Sequence, residues 1–303
     1  MKRTTGLIAV ALMAALALPA LAEEKRIETA RTLLKDKHES VVWVTAVAKM
    51  QVSGMGVSLG GGGENKVEAL GTVVDKSGLV VVCYSQIDMA KMLGGAIKAN
   101  VGGESKEIEL KTDLSDVKIR LADGTELPAS IVMKDEELNI AFIMPDTTDD
   151  AVKKAKFVPL DLGDAAEPKV LDDTIVLGRL SKMLDYQPSV SLGRVSAVVK
   201  KPRTCYEAPG APGCPVFSVD GKLIGISMLM KAAEGGGMMA LHNMSSVVLP
   251  AKEIAEASEQ AKKKASEPKK AEAAESKEEK PKDKSKDKEE TPKSKAKGSA
   301  DSF

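Results

Sequence analysis

Short runs of β-branched residues, each closed by a turn signal, limit the fold of this chain more than any other feature. Ser40–Val47, Ala69–Asp75 and Leu79–Val82 have strand length and are bounded by turns such as Lys76-Ser77-Gly78. Val117–Leu121 alternates strictly, runs into Ala122-Asp123-Gly124 and resumes over Ala129–Met133, which predicts a hairpin. A second group opens at Thr174–Gly178 and continues through Ser189–Val199. It holds another hairpin, Val216–Val219 turning at Asp220-Gly221 into Lys222–Ser227. Two clusters of about six short strands, with no helices alternating between them, predict an all-β chain of two antiparallel barrels or sandwiches. Helices are expected only at the margins. Ile27, Ala30, Leu33 and Leu34 recur at helical spacing within 24–37, and a closing helix is predicted from Ala251 to Lys264, just after Pro250.

The ends of the chain differ from this texture. Met1-Lys2-Arg3, the apolar run Leu7 to Leu18, Pro19 and the small-x-small Ala20-Leu21-Ala22 follow the order of a secretory signal peptide cleaved after Ala22. The apolar run is too short to be preferred as a transmembrane helix, so membrane contact is expected only through an uncleaved anchor. A periplasmic or secreted location follows. Beyond Ala265 the chain is a Lys/Glu/Ala/Ser/Pro mixture without an aromatic until Phe303. Such a segment cannot bury enough apolar area to offset its chain entropy and is expected to be disordered. The resulting division is 1–22 signal peptide, 23–37 helical segment, 38–148 and 149–256 as the two β units, and 257–303 as a short helix running into the tail.

Composition removes several classes of function. Lys+Arg and Asp+Glu both number 44, and aromatics make up 3% of residues, which argues against a nucleic-acid partner on charge and on stacking. Two histidines, His38 and His242, without a C-x-x-C or H-E-x-x-H pattern, lead us to expect no metal and no cofactor. The run Gly60 to Gly63 reads as a flexible loop, because the following Glu64-Asn65-Lys66 lacks the Lys-Ser/Thr of a phosphate-binding loop. Trp43 and Tyr84 are expected to fill core or barrel-end space. Met228, Met230, Met238 and Met239 are expected to be packing residues, a Met-lined groove for apolar peptide side chains being the alternative.

In order and wording the strands resemble the HtrA/Deg group of trypsin-like serine proteases over residues 38 to 256. Gly71–Val81 resembles that group's G-F-I-I-x-x-x-G-Y-I-L segment, and Ile119–Ala129 its V-x-L-x-D-G-x-x-x-x-A segment. Val190–Ala197 is similar to V-T-x-G-I-V-S-A, Val216–Ser227 to the strand pair after the nucleophile, and Val248–Ile254 to the closing A-I-P-x-x-x-V. The resemblance implies two six-stranded antiparallel β-barrels in the trypsin-like fold. It also implies a catalytic histidine, aspartate and serine, and at those three positions this chain carries Ser85, Asn139 and Pro212. A serine hydroxyl cannot hold a proton near neutral pH as imidazole does. Asparagine has no charge to stabilise an imidazolium. Proline removes the nucleophilic oxygen and, with its N–H, one oxyanion donor.

No substitute is evident. Cys214 follows the nucleophile slot by two positions without a histidine near it, and Lys91 is six residues from Ser85. The expectation is a pseudoprotease that binds or scaffolds protein or peptide ligands in envelope protein quality control. The alternatives are an endopeptidase with a rearranged site and a regulatory subunit of an active paralogue, assembled as a homo-oligomer or hetero-oligomer. No PDZ-like segment follows Ile254. Among the three cysteines, Cys205 and Cys214 lie in the loop where the implied fold places its substrate-binding wall. With export to an oxidising compartment they are the leading disulfide candidate, leaving Cys83 as a thiol, although three pairings are open.

Overall fold

The computed structural model describes residues 23–54, 57–93, 95–101, 104–231 and 244–267. Residues 1–22, where a signal peptide is expected, Met238, Met239, His242 and the residues beyond Glu267 lie outside the described residues. Helix α1 (23–37) comes first, and its Ala30 and Leu33 are buried. On its outer side Lys25 pairs with Asp220 at 2.8 Å and Arg26 with Asp173 at 3.0 Å.

The first sheet contains β1 (Val41–Gly54), β2 (Val57–Val73), β3 (Val80–Cys83), β4 (Ala96–Val101), β5 (Glu104–Arg120), β6 (Glu126–Asp135) and β7 (Ile140–Pro145). Its order is β1-β2-β3-β7-β6-β5-β4, and a further β1–β5 ladder closes six of these strands into a barrel with β4 on the outer edge of β5. The predicted hairpin at Asp123-Gly124 is the β5–β6 connection, with Arg120 opposite Glu126 and Gly124 at φ 88°. Two helical turns, α2 (Tyr84–Ile87) and α3 (Met89–Met92), follow β3.

The second sheet contains β8 (Asp173–Arg179), β9 (Pro188–Arg194), β10 (Ala197–Val199), β11 (Cys205–Glu207), β12 (Pro215–Ser218), β13 (Leu223–Lys231) and β14 (Met244–Pro250). The turn α4 (Asp150–Lys154) lies on the way to it, and helix α5 (Ala251–Ser266) closes the described chain. The order is β10-β11-β14-β13-β12-β8-β9. Here the expected barrel is a curled seven-stranded sheet without a closing ladder among the described residues. Its two edges, β9 and β10, are consecutive in the chain with only Val195 and Ser196 between them, so covalent continuity returns the sheet on itself where hydrogen bonds do not.

Packing explains the uninterrupted apolar runs. In β3 every residue is buried, with Val80 and Val82 facing the barrel interior while Val81 and Cys83 face outward. On β7, Ala141 and Ile143 face the interior while Ile140 and Phe142 join the outer cluster. That outer cluster includes Ile226 and Met228 of β13, Leu249 of β14 and Ile254, Ala257 and Ala261 of α5, so one apolar core joins the barrel, the second sheet and the helix. Each large side chain fully withdrawn from water in this way contributes about 1.5–3 kcal/mol. Met228 is a core residue, as expected. Trp43 is half-buried, donating its Nε1–H to Leu180 O at 3.1 Å with its ring 6.0 Å from that of Tyr186.

Two expectations are corrected. Gly60–Gly63 belongs to β2 rather than to a loop, and the ladder shifts register between Lys49 and Gln51 opposite it, as glycines in a strand often permit. The Cys205–Cys214 bridge is not formed, and all three cysteines are free and buried. Cys205 on β11 belongs to the apolar core shared with β3 and α5, whereas Cys214 belongs to the separate core beneath α1 and β8. Their side chains serve two different interiors.

Candidate functional site

The end of β3 and the start of β7 place two polar side chains in an apolar setting. Asn139 sits just before β7 at φ 54°, a left-handed conformation that asparagine tolerates better than most residues. Its backbone carbonyl accepts from Tyr84 N at 2.9 Å, which fixes the first turn of α2 beside it. Its side-chain Oδ1 accepts from Ser85 N at 2.9 Å. The amide Nδ2 donates to Ser85 Oγ at 2.9 Å and to the carbonyl of Leu229 on β13 at 2.6 Å, with Cys83 Sγ at 3.5 Å. Ser85 is 3% exposed and Asn139 9%. Ser85 and Asn139, the two residues expected at the first two triad positions, are thus mutual hydrogen-bond partners, and through Leu229 they tie the barrel to the second sheet.

Pro212 is not part of that cluster. It occupies the first corner of a turn in which Cys214 N donates to Ala211 O at 3.0 Å, with Gly213 at φ 86° in the second corner. Pro-Gly in those corners is the sequence that a type II turn requires. Gly213 donates its N–H to Ser227 O at 2.7 Å and accepts Thr72 Oγ at 2.7 Å. A Cβ at Gly213 would fall 1.9 Å from Leu70 O. The preceding Gly210 carbonyl accepts the hydroxyls of Ser227 and Ser246, each at 3.1 Å, and those hydroxyls are 3.1 Å apart.

The surroundings of the three buried thiols favour their protonated, weakly nucleophilic form. Burial pushes the Cys214 thiol up to about 12. Burial raises Cys83 against the opposing hydrogen bond of Leu229, and raises Cys205 against the charge of Arg203. Lys91 is paired with Glu136 at 2.5 Å. His38 lies at the end of α1, its Nδ1 within 3.0 Å of Leu34 O. Tyr84 donates to Asp88 at 2.5 Å, and burial followed by that carboxylate raises its pKa.

One buried cation escaped the sequence reading. Arg179, 6% exposed, donates to the carbonyls of His38 at 2.9 Å, Val41 at 3.0 Å and Tyr186 at 3.0 Å, clamping β8 to the start of β1. Its only signal in the sequence is an arginine at the end of the apolar run Ile175-Val176-Leu177-Gly178. The role of Leu229 O as the acceptor for Asn139 had no signal at all, since a backbone carbonyl carries no residue identity.

No curated protein matches the chain. The sequence model of the trypsin-like peptidase domain matches residues 69–226, more than half of the chain, and the span takes in Ser85, Asn139 and Pro212 together with β3, β7, β12 and most of the strands around them. With a closed six-stranded barrel beside a curled second sheet and that match across both, the chain belongs to the trypsin-like peptidase domain family.

Proposed function

We propose that this protein is an HtrA/Deg-type member of the family that works outside the cytoplasm by binding or scaffolding proteins or peptides, without cleaving them, in envelope protein quality control. One observation carries the reading: Asn139 and Ser85 spend their hydrogen bonds on each other and on Leu229 O, while Pro212 forms the turn where a nucleophile would stand. Acyl transfer needs a nucleophile within reach of a base and donors aimed at the developing oxyanion. Function is read from such a site and not from the fold that carries it.

Purified mature protein is expected neither to hydrolyse casein nor to react with a fluorophosphonate. Loss of a complete triad costs on the order of 10⁶ in turnover in enzymes of this chemistry, and a missing oxyanion donor removes about 3 kcal/mol more. The single changes Ser85→His, Asn139→Asp and Pro212→Ser should each leave the protein inert. Stoichiometric labelling at any serine, abolished by mutating that serine, would refute the reading. Cross-linking in the native envelope identifies the partner.

A further inference from the structure

The first sheet ends on β4. That strand pairs with β5 from Ala96↔Glu109 to Val101↔Glu104 without a shift of register, and among the described residues no strand pairs with its other side. Leu110 N donates to Gly95 O at 2.8 Å, which extends the ladder by one step and makes Gly95↔Leu110 a hydrogen-bonded position. Such positions alternate in an antiparallel pair, so Ile97, Ala99 and Val101 turn their backbone groups toward β5. Ala96, Lys98 and Asn100 turn theirs outward.

Folded proteins blunt such a row of open N–H and C=O groups with a proline, a bulge, a very short strand or several charges. Other open edges of this chain carry one of these devices. Strand β9 begins at Pro188, β10 has three residues, and the open part of β2 lies in a ladder whose register shifts beside its glycine run. Strand β4, Ala96-Ile97-Lys98-Ala99-Asn100-Val101, has neither proline nor bulge and a single charge, Lys98.

The order of residue types in β4 reads alike in both directions about Ala99: apolar, polar, small, polar, apolar from Ile97 to Val101. When two copies pair antiparallel about a two-fold axis at Ala99, Lys98 stands opposite Asn100 of the second copy and Ile97 opposite its Val101. Lys98 and Asn100 are also the residues whose backbone groups point outward, so each Lys98–Asn100 pair exchanges two N–H···O bonds, and the axis falls on a position without them. Residue type and hydrogen-bonding phase therefore agree at this axis. An axis at Lys98 would satisfy the backbone as well, but it sets Lys98 opposite Lys98, and like charges there are destabilising. We infer that β4 is a self-association edge: two copies of this chain pair through Ile97–Val101 about a two-fold axis at Ala99 and join their first sheets into one. The edge shares no residue with the Ser85–Asn139 cluster, so the inference is independent of the proposed lack of proteolysis.

Sedimentation equilibrium of the chain from Glu23 to Phe303, between about 1 and about 300 µM, tests it. A monomer–dimer equilibrium that follows concentration is expected. Asn100→Pro removes an outward N–H and none of the bonds to β5, so it should raise the dimer Kd about tenfold or more while the circular dichroism spectrum and the melting temperature of dilute protein stay unchanged. Asn100→Glu sets a carboxylate opposite Lys98 at both symmetry-related positions and should lower the Kd about fivefold. About an axis at Lys98 the same glutamate would stand opposite Ala96 and change nothing. The inference is overturned by a chain that stays monomeric at the highest concentration, by an assembly other than a dimer, by a dimer that Asn100→Pro leaves intact, or by a Kd that Asn100→Glu does not lower.

Discussion

Replacing Asn139 separates a structural clip from a relic of catalysis. Asn139→Ala removes the acceptor for the buried Ser85 N and the donor to the part-buried Leu229 O, and leaves both backbone groups without these partners. Each such orphan costs about 1–3 kcal/mol. Alanine at φ 54° adds about 1 kcal/mol of left-handed strain. Allowing for non-additivity among neighbours, the loss should be about 3–5 kcal/mol, which in a domain of this size lowers the melting temperature by about 10 °C. Asn139→Asp is the sharper arm. Its carboxylate still accepts Ser85 N but faces Leu229 O without a proton to donate. Burial and that carbonyl raise the folded-state pKa of the new carboxyl above its unfolded value near about 4. Below the unfolded value both states are protonated and the variant should approach the wild type. As pH rises toward the folded value the penalty should grow, because the folded state then holds the proton more tightly than the unfolded chain. Denaturant midpoints taken between pH 3 and 8 read this directly. An Asp variant as stable as the wild type at pH 7, with no added pH dependence, would show that the amide does not hold Leu229 O.

Other perturbations read other parts of the structure. Gly213→Ala places a Cβ 1.9 Å from Leu70 O and should cost more than about 4 kcal/mol or abolish soluble expression, whereas Gly95→Ala, also at positive φ but with nothing within 4 Å, should cost only about 1 kcal/mol. Against the effect of its own burial, the Ser77 amide and the Lys262 ammonium hold the Asp75 carboxylate below its ordinary range. Its contribution is therefore complete above the unfolded pKa and lost as pH falls through the lower folded value, so Asp75→Asn should flatten the acid limb of the stability curve. Native protein should be inert to Ellman's reagent, and unfolded, unreduced protein should release three equivalents; a single equivalent would indicate a disulfide.

Legibility in the sequence followed the range of the interaction. The hairpins at Asp123-Gly124 and Asp220-Gly221 were readable because a left-handed corner and alternating flanks are local demands, and both glycines are at positive φ. The marginal helices were readable from periodicity, with α5 ending two residues beyond the predicted Lys264. The Gly60–Gly63 run misled because its pairing comes from β1 and not from its own propensities. The disulfide expectation failed for a related reason: nine positions of separation say nothing about which interior each side chain enters. At the site, only the resemblance drew attention to Ser85 and Asn139. Their partnership with Leu229, ninety residues away, arises only once the second sheet is packed against the barrel.

The apolar core that α5 shares with β3 and β7 sets an order of events for the nascent chain. Phe142, Val81 and Leu79 leave the ribosome long before Ile254, Ala257 and Ala261, the residues that cover the same core from the other end. Until residue 261 has emerged, the outer face of the barrel is an unprotected apolar surface that invites association with other chains. Cutting the gene near residue 148 should accordingly yield two insoluble fragments. Maturation of this protein is therefore a matter of timing, with α5 acting as the stopper and anything that keeps the outer face of the barrel away from other chains until then acting in its favour.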